Sequence, residues 1–263
     1  MTASTRHALA RLASPVVLIA LVVAGCGLGG TTEQTTLATI GPLDSGAIEP
    51  IGSEPAPGDS AGTGQIPGFE GWKTINPAFV DIGPTQSGLA MTLTHRALWF
   101  QANQGVLFYT VVQGNFRAFA TVTTTRTSDS SRTPGGDGTV QLAGLMARAE
   151  EPQENYVFIV VGSDASGLSV ETKTTKDGQS TFAGPDWPTG DADLQLCRVG
   201  STFTLWKRAA GSGDDWTLAK TIERPDLPAS LQVGANIYSD SAPDITALFD
   251  GLSIEPLDPG EAC

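Results

Sequence analysis

Short segments in which apolar and polar residues alternate follow one another from residue 89 onward. Gly-Asn, Asp-Gly, Gly-Ser and Gly-Asp-Asp sequences separate them, and these residues favour turns. Many short strands at this spacing predict an all-β fold, which would be either a two-sheet sandwich or a barrel. No window has the period of an amphipathic helix, and this supports the all-β prediction. The predicted strands are residues 89–95, 106–112, 116–124, 139–149, 156–161, 168–174, 194–199, 202–207, 216–222, 231–239 and 245–254.

A hairpin around Gly200-Ser201 has the clearest pattern. Gly-Ser favours a two-residue turn, which would pair Val199 with Thr202 and Gln195 with Trp206. Side chains alternate between the two faces of a strand, so the register assigns each residue to a face. The residues expected to face the core are Leu194, Leu196, Phe203 and Leu205, and those expected to face outward are Gln195, Cys197, Val199, Thr202, Thr204 and Trp206.

The same alternation in residues 231–239 places Gln232, Asn236 and Tyr238 on the outward side. The inward residues of this strand are Leu231, Val233, Ala235 and Ile237. Aromatic rings cover the apolar faces of a pyranose, and amides exchange paired hydrogen bonds with hydroxyls. This composition favours a sugar-binding surface with Trp206 and Tyr238 as stacking rings. The alternative is an ordinary solvent-facing sheet in which Trp206 packs under a loop.

The N-terminus has the pattern of an export signal. Arg6 and Arg11 precede the apolar run of residues 15–25, which is shorter than the roughly 20 residues that span a bilayer. Val23-Ala24-Gly25-Cys26 resembles the lipobox of bacterial lipoproteins. The resemblance implies cleavage after residue 25, lipid attachment to Cys26, and an extracytoplasmic protein anchored to the cell envelope, in the cell membrane or the outer membrane.

Composition divides the rest of the chain. Residues 27–66 lack Lys, Arg and aromatic residues, so we expect residues 26–66 to be a disordered tether. A folded domain would occupy residues 67–257, with a tail at 258–263. The formal net charge of −13 speaks against nucleic acid and against adsorption to anionic lipid, leaving the lipid on Cys26 as the expected membrane contact.

The order of the strand sequences carries a second resemblance. WFQANQGVLFYTVVQGNFRAFATV, LAGLMARAEEPQENYVFIVV, LCRVGSTFTLW and ITALFDGLSI resemble the concanavalin A-like lectin/glucanase superfamily. The nearest resemblance is to an uncharacterised bacterial family similar to the C-terminal domain of β-xylosidases. It implies a two-sheet antiparallel jelly roll, glycan binding in many relatives, and Arg148 as a family-typical residue that is either a ligand contact or a structural ion-pair partner. Gly162 and Ser180-Thr181-Phe182 depart from the pattern of the relatives.

Catalytic and metal-binding patterns are weak. A serine triad would have to use His95, and no Gly-x-Ser-x-Gly sequence supports one. Glycosidases need two carboxylates flanking one bond, whereas Glu171 stands alone on its predicted strand. We expect Glu150, Glu151 and Glu154 to occupy a solvated turn. The sequence contains no His/Cys cluster that would predict a transition-metal site. Asp191, Asp193, Asp214 and Asp215 are expected to stabilise turns, and structural calcium is the less favoured alternative.

Two cysteines remain after Cys26 is set aside. Cys197 and Cys263 could form a disulfide outside the cytoplasm or remain free thiols, and the sequence leaves both open.

Together these patterns predict a lipid-anchored jelly-roll domain that binds polysaccharide and is not an enzyme. The predicted sugar contacts are Trp206, Gln195, Asn236, Tyr238 and Arg148. The alternatives are a structural or protein-interaction module of the envelope without a sugar site and, third, a glycoside hydrolase.

Overall fold

The structure is a computed structural model that describes residues 66–99, 104–135, 138–150 and 154–263. The predicted signal segment, the lipidation site Cys26 and the tether up to residue 65 lie outside the described residues. Within those residues, no helix has the length and apolar character needed to cross a membrane.

The described chain is almost entirely β, with one short 3-10 helix at Pro77–Phe79. The strands are β1 Lys73–Ile75, β2 Val80–Pro84, β3 Gly88–Leu93, β4 Val106–Gln113, β5 Phe116–Thr125, β6 Gln141–Arg148, β7 Tyr156–Asp164, β8 Gly167–Lys176, β9 Gln179–Ala183, β10 Asp191–Val199, β11 Thr202–Arg208, β12 Thr217–Glu223, β13 Ser230–Ser239 and β14 Thr246–Pro256.

Two antiparallel sheets of seven strands form a sandwich consistent with a jelly roll, as the sequence predicts. Sheet 1 has the order β1-β4-β13-β6-β7-β8-β9, and sheet 2 has the order β12-β11-β10-β5-β14-β3-β2. Strands adjacent in sequence often belong to different sheets: β13 pairs with β4 and β6, while β14 pairs with β3 and β5.

The core between the sheets comes from the alternation predicted above. Leu194, Leu196, Phe203 and Leu205 from sheet 2 meet Leu231, Val233, Ala235 and Ile237 from sheet 1, and all eight are buried. The hairpin register is confirmed, since Val199 pairs with Thr202 and Gln195 with Trp206. A two-residue turn thus set the facing of both strands.

Sheet 1 also carries a buried apolar cluster on its outer face. This outer cluster consists of Trp99, Leu107, Tyr109, Leu142, Met146, Tyr156, Phe158, Val160 and Tyr238. Strands β6 and β7 are therefore buried on both faces, apart from the end of β7 at Asp164. The chain before β4 crosses this face, where Trp99 O accepts hydrogen bonds from the Tyr156 hydroxyl at 2.7 Å and Lys173 Nζ at 2.8 Å.

Glycines step diagonally across the middle of sheet 1. Gly234, Gly144 and Gly162 lie on the neighbouring strands β13, β6 and β7, each two register positions further along. A β-carbon at any of them would overlap a carbonyl oxygen of the adjacent strand, namely that of Phe108, Ile159 or Gln141 respectively. Side chains are thus excluded along this diagonal by the backbone itself.

A disulfide joins Cys197 to Cys263, with 6.0 Å between the Cα atoms. This distance lies within the usual range for such a bond. Arg117 Nη2 also donates a hydrogen bond to Ala262 O at 3.0 Å. The C-terminal tail is therefore fixed to the outer face of sheet 2, at strands β5 and β10.

Candidate functional site

A pocket of about 780 Å³ opens on sheet 1, beside the outer cluster. Strands β7, β8 and β9 supply one side, and the segments next to β3, β6 and β13 supply the other. The pocket is lined by Arg96, Leu98, Val140, Asp164, Ala165, Ser166, Glu171, Lys173, Phe182, Gly184, Tyr238 and Asp240. Apolar walls with a few polar groups are typical of small-molecule sites.

Glu171 and Tyr238 form a buried pair in this pocket. The Tyr238 hydroxyl donates a hydrogen bond to Glu171 Oε1 at 3.0 Å. Burial raises the pKa of the Glu171 carboxyl, while the positive charge of Lys173 and the Tyr238 hydrogen bond act in the opposite direction. Burial also raises the pKa of Tyr238, and the neighbouring Glu171 charge adds to the effect. Glu171 Oε2 makes no hydrogen bond within the described part of the chain, so it is left as an acceptor.

Lys173 lies next to this pair on β8 and is 5% exposed. Its Nζ donates to Trp99 O and lies 5.4 Å from the ring centroid of Phe158 and 5.6 Å from that of Phe182. Burial lowers the pKa of Lys173, and the charges of Glu171 and Glu154 oppose this shift. The ammonium group is thus held by a backbone carbonyl between two aromatic rings, where the charges of Glu171 and Glu154 favour its protonated form.

Phe182 is the exposed aromatic residue of the pocket. It sits on the edge strand β9, opposite Lys173, and 59% of its surface is accessible. An exposed ring beside buried hydrogen-bonding groups can stack on an apolar sugar face while those groups meet hydroxyls.

Asp164 and Asp240 place two further carboxylates in the pocket. Asp164 Oδ1 accepts hydrogen bonds from Ser166 N, Ser166 Oγ and Gly167 N, which fixes the β7–β8 turn. Burial opposes ionisation of Asp164 most strongly, but the hydrogen bonds from Ser166 and Gly167 hold its pKa below the ordinary value. Asp240 Oδ1 accepts from Val140 N at 2.9 Å, and its backbone oxygen accepts from Arg96 Nε at 2.7 Å.

The structure does not bring the sequence-predicted sugar contacts together. Gln195 and Trp206 lie on β10 and β11 of sheet 2, whereas Asn236, Tyr238 and Arg148 lie on β13 and β6 of sheet 1. All five face outward, but on opposite sides of the sandwich. The prediction of one sugar-binding surface made from all five residues is therefore wrong. Alternation determines which side of a strand faces outward, but it does not determine the sheet to which the strand belongs.

Arg148 and Asn236 are buried beside the outer cluster. Arg148 is 1% exposed, donates to Gln232 Oε1 at 2.9 Å and lies 5.6 Å from the Trp99 ring centroid. Asn236 is fully buried, and neither of its amide atoms has a hydrogen-bond partner within the described ranges. Of the three predicted contacts on sheet 1, only Tyr238 lines the pocket.

Trp206 and Gln195 belong to a different surface, on sheet 2. Gln195 is buried and Trp206 is half-buried, and each pairs with the other across the hairpin. Phe119, the next residue in the same row, packs edge-on against Trp216 at 6.1 Å. The disulfide-bonded tail is attached to this side as well.

The acidic residues differ from expectation in two places. Glu154 is 8% exposed, so its predicted place in a solvated turn is wrong; Glu150 is exposed, and Glu151 lies outside the described residues. Asp191 and Asp193 begin strand β10 and are not in a turn. The oxygens of Asp193 accept from Thr121 Oγ1, Arg208 Nε and Gly211 N, which accounts for this carboxylate structurally.

Within the ranges that the structure describes, no three His, Cys, Asp or Glu side chains are arranged to hold a metal ion. His95 is exposed, with Thr94 Oγ1 3.0 Å from its Nδ1 and the ring of Phe79 at 5.7 Å.

The sequence pattern did not indicate a site role for several pocket residues, namely Phe182, Lys173, Asp164, Asp240 and Arg96. For Glu171, the sequence showed only an acidic residue without an acidic neighbour on its predicted strand. A weak signal was present, since Glu171 and Lys173 alternate on one face of a strand that is otherwise Thr-rich and apolar.

No protein-family model matches the chain, and no curated protein matches it. Among solved structures, a functionally unknown protein from Saccharomyces cerevisiae is similar at 12% identity and a TM-score of 0.59, covering 72% of this chain and 99% of that one. Xylan β-1,4-xylosidase from Bacillus halodurans C-125 has 13% identity and a TM-score of 0.54, over 77% of this chain and 39% of the enzyme.

A GH43 protein from Bacillus licheniformis is similar at 12% identity and a TM-score of 0.54, over 71% of this chain and 37% of its own. This chain thus spans less than half the length of each of the two longer proteins. At such identities the likeness shows the fold alone, a β-sandwich of the kind found in glycoside hydrolases.

Proposed function

We propose that this chain is an exported, lipid-anchored surface protein whose β-sandwich binds carbohydrate in the sheet 1 pocket without hydrolysing it. The observation that carries the proposal is the exposed ring of Phe182 beside the buried, hydrogen-bonded groups of Glu171, Lys173 and Tyr238. Stacking on one side and directed hydrogen bonds on the other are what a pyranose requires. The fold shared with carbohydrate-active proteins agrees with this proposal.

The proposed sugar site replaces the surface that the sequence favoured. Tyr238 remains in it, through its hydrogen bond to Glu171. Phe182 takes the stacking role that the sequence assigned to Trp206, because Trp206 lies on the other sheet.

We propose binding and not hydrolysis because of how the carboxylates that accompany Glu171 in the pocket are held. Two carboxylates must act on one glycosidic bond, as acid and as nucleophile or base. The other carboxylates of the pocket are Asp164 and Asp240. Three hydrogen bonds to Asp164 Oδ1 tie it to the β7–β8 turn, and Asp240 Oδ1 accepts a hydrogen bond from Val140 N. This arrangement suits a fixed acceptor better than a reacting group.

The membrane anchor is proposed from the sequence. Cys26 follows Val23-Ala24-Gly25, and a diacylglycerol on this thiol together with an acyl chain on the new amine would give stable attachment. Labelling cells with radioactive palmitate tests this, since label should enter the wild-type protein and be lost from Cys26→Ser. Equal labelling of the two proteins would contradict the anchor.

Binding is tested by affinity electrophoresis of the full-length protein in gels that contain neutral polysaccharides such as xylan, mannan, β-glucan and galactan. We expect retardation by at least one polymer and its loss in Phe182→Ala. Val111→Ala is the matched control, because Val111 is 61% exposed on sheet 1 and does not line the pocket.

Other outcomes would contradict the proposal. Loss of retardation in Trp206→Ala, with Phe182→Ala unaffected, would place the site on sheet 2. Absence of retardation by every polymer would favour a structural or protein-interaction module. Release of reducing sugar by the wild-type protein, abolished in Glu171→Gln, would show a glycoside hydrolase.

A further inference from the structure

The sheet 1 pocket contains an excess of acidic side chains. Asp164 at the end of β7, Glu171 on β8 and Asp240 after β13 all line it. The cationic side chains in the same lining are Lys173 and Arg96. The formal charges therefore leave the lining net negative, within a chain whose net charge is −13.

Each cationic group makes a hydrogen bond to a backbone carbonyl of the protein. Lys173 Nζ is bonded to Trp99 O and lies near the Phe158 and Phe182 rings. Arg96 is exposed, and its Nε donates a hydrogen bond to the backbone oxygen of Asp240 at 2.7 Å. An anionic ligand inside the pocket would therefore meet Lys173 under the opposing charge of Glu171, whereas the charge of Arg96 is exposed to solvent and is screened by it.

The acceptors, by contrast, have capacity left. Glu171 uses Oε1 for Tyr238, and Asp240 uses Oδ1 for Val140 N, while Glu171 Oε2 and Asp240 Oδ2 make no hydrogen bond to the described residues. Hydroxyl groups and ammonium groups can donate to these oxygens, whereas carboxylate, sulfate and phosphate groups cannot. Like charges placed together across an interface oppose binding strongly.

We propose that the pocket accepts glycans that carry no carboxylate, sulfate or phosphate group, and that Glu171 and Asp240 set this selectivity. The selectivity rests on the proposed function, because it describes the ligand of the same pocket. Phe182 gives affinity for any pyranose with an apolar face, and the two carboxylates decide which pyranoses are rejected.

Isothermal titration of the full-length protein at pH 7.5 and low ionic strength tests this selectivity. The probes are neutral hexasaccharides of xylose, mannose, glucose and N-acetylglucosamine, the cationic hexamer of glucosamine, and the acidic hexamers of galacturonate and mannuronate. We expect every acidic hexamer to bind at least about tenfold more weakly than the best neutral or cationic one. At about 1 M salt, where the Debye length is about 3 Å, the difference in affinity between acidic and neutral hexamers should become smaller.

The double variant Glu171→Gln/Asp240→Asn removes both charges and keeps one acceptor oxygen on each side chain, while the other oxygen is replaced by an amide NH2 group. It should bring the acidic and neutral affinities to within about threefold of each other, since the repulsion between these two carboxylates and the anionic groups of the ligand has been removed. Glu255→Gln, on the exposed part of β14, is the control and should leave the ratio unchanged.

An acidic hexamer that binds the wild-type protein as tightly as the best neutral hexamer would overturn the selectivity while leaving carbohydrate binding intact. An unchanged ratio in a folded double variant would remove Glu171 and Asp240 from the role. Absence of binding by every hexamer and polymer would instead show that the proposed function has failed, and the selectivity would fall with it.

Discussion

The hydroxyl of Tyr238 reaches Glu171 Oε1 at 3.0 Å although two strands, β6 and β7, separate their own strands in sheet 1. On the intervening strands, Leu142 pairs with Tyr238 and Val160 pairs with Glu171, and Gly144 and Gly162 lie beside them on the same face of the sheet. A hydrogen bond thus links β13 to β8 across the face of the sheet.

Removing the Tyr238 hydroxyl should cost stability and change the titration of Glu171. Tyr238→Phe leaves the buried Glu171 carboxyl without its donor, so we expect a loss of about 1 kcal/mol in the free energy of unfolding. The pKa of Glu171 should rise further, because the Tyr238 hydrogen bond lowers it. Urea unfolding and carboxyl NMR titration measure the two effects, and an unchanged Glu171 titration would contradict the prediction.

Stability should depend on pH through Glu171. Burial raises its pKa above the ordinary value of 4.5, so the folded state binds the proton more tightly than the unfolded chain does. The contribution of this group to stability is full below pH 4.5 and is lost as pH rises through the raised pKa.

Thermal unfolding of the wild type and of Glu171→Gln between pH 4 and pH 8 measures this contribution. The variant should gain stability relative to the wild type as pH increases. The same comparison for Glu255→Gln should show no such trend, and a constant difference for Glu171→Gln would refute the assignment.

Gly144 should not tolerate a side chain. A β-carbon there would overlap Ile159 O, which is backbone and cannot move without disturbing the β6–β7 pairing. We expect Gly144→Ala to destabilise the fold by about 2 kcal/mol or more. Gly83→Ala on β2 is the matched control, since the space around Gly83 is open and the change should be nearly neutral. Equal effects in chemical denaturation would contradict this prediction.

The Cys197–Cys263 disulfide should contribute about 2 to 4 kcal/mol, because it closes a segment with a sequence separation of 66 residues in the unfolded chain. Unfolding in urea with and without reductant measures the difference. Cys197→Ala/Cys263→Ala should resemble the reduced protein and be insensitive to reductant. A wild-type midpoint unaffected by reductant would contradict the prediction.

Asn236 should be replaceable by leucine with a gain in stability. Its amide is fully buried, without a hydrogen-bond partner in the described part of the structure, and burial of such a group costs about 1 to 3 kcal/mol. Gln232→Leu, four residues earlier on the same face, should instead destabilise, because the hydrogen bond from Arg148 Nη1 to Gln232 Oε1 is lost. A lower melting temperature for Asn236→Leu would show that the amide has a partner, such as a bound water.

Most strands were predictable because antiparallel pairing imposes an alternation that the sequence displays. The strands that escaped prediction, β1, β2 and β9, are all sheet edges. β9 is exposed along nearly its whole length, so it has no buried face to create a pattern, and β1 has three residues. Alternation of apolar and polar residues therefore indicates a strand with one buried face, and edge strands bury few side chains.

The candidate site was much less predictable, since it depends on which strands share a sheet. Trp206 and Tyr238 have the same outward facing in sequence but lie on opposite sides of the sandwich. Phe182 and Glu171 meet because β9 pairs with β8, and Asp240 joins them from a segment far along the chain. Such proximity follows from topology, which no local pattern encodes.

The attachment of Cys263 to Cys197 also determines how the domain would carry mechanical load. A force applied at Cys263 would pass through the disulfide to β10, which is paired on both sides within sheet 2. Strand β14 would be spared, although it is the last strand before the tail. Extension from this end would then have to shear an interior strand rather than peel the final one, which calls for a larger force.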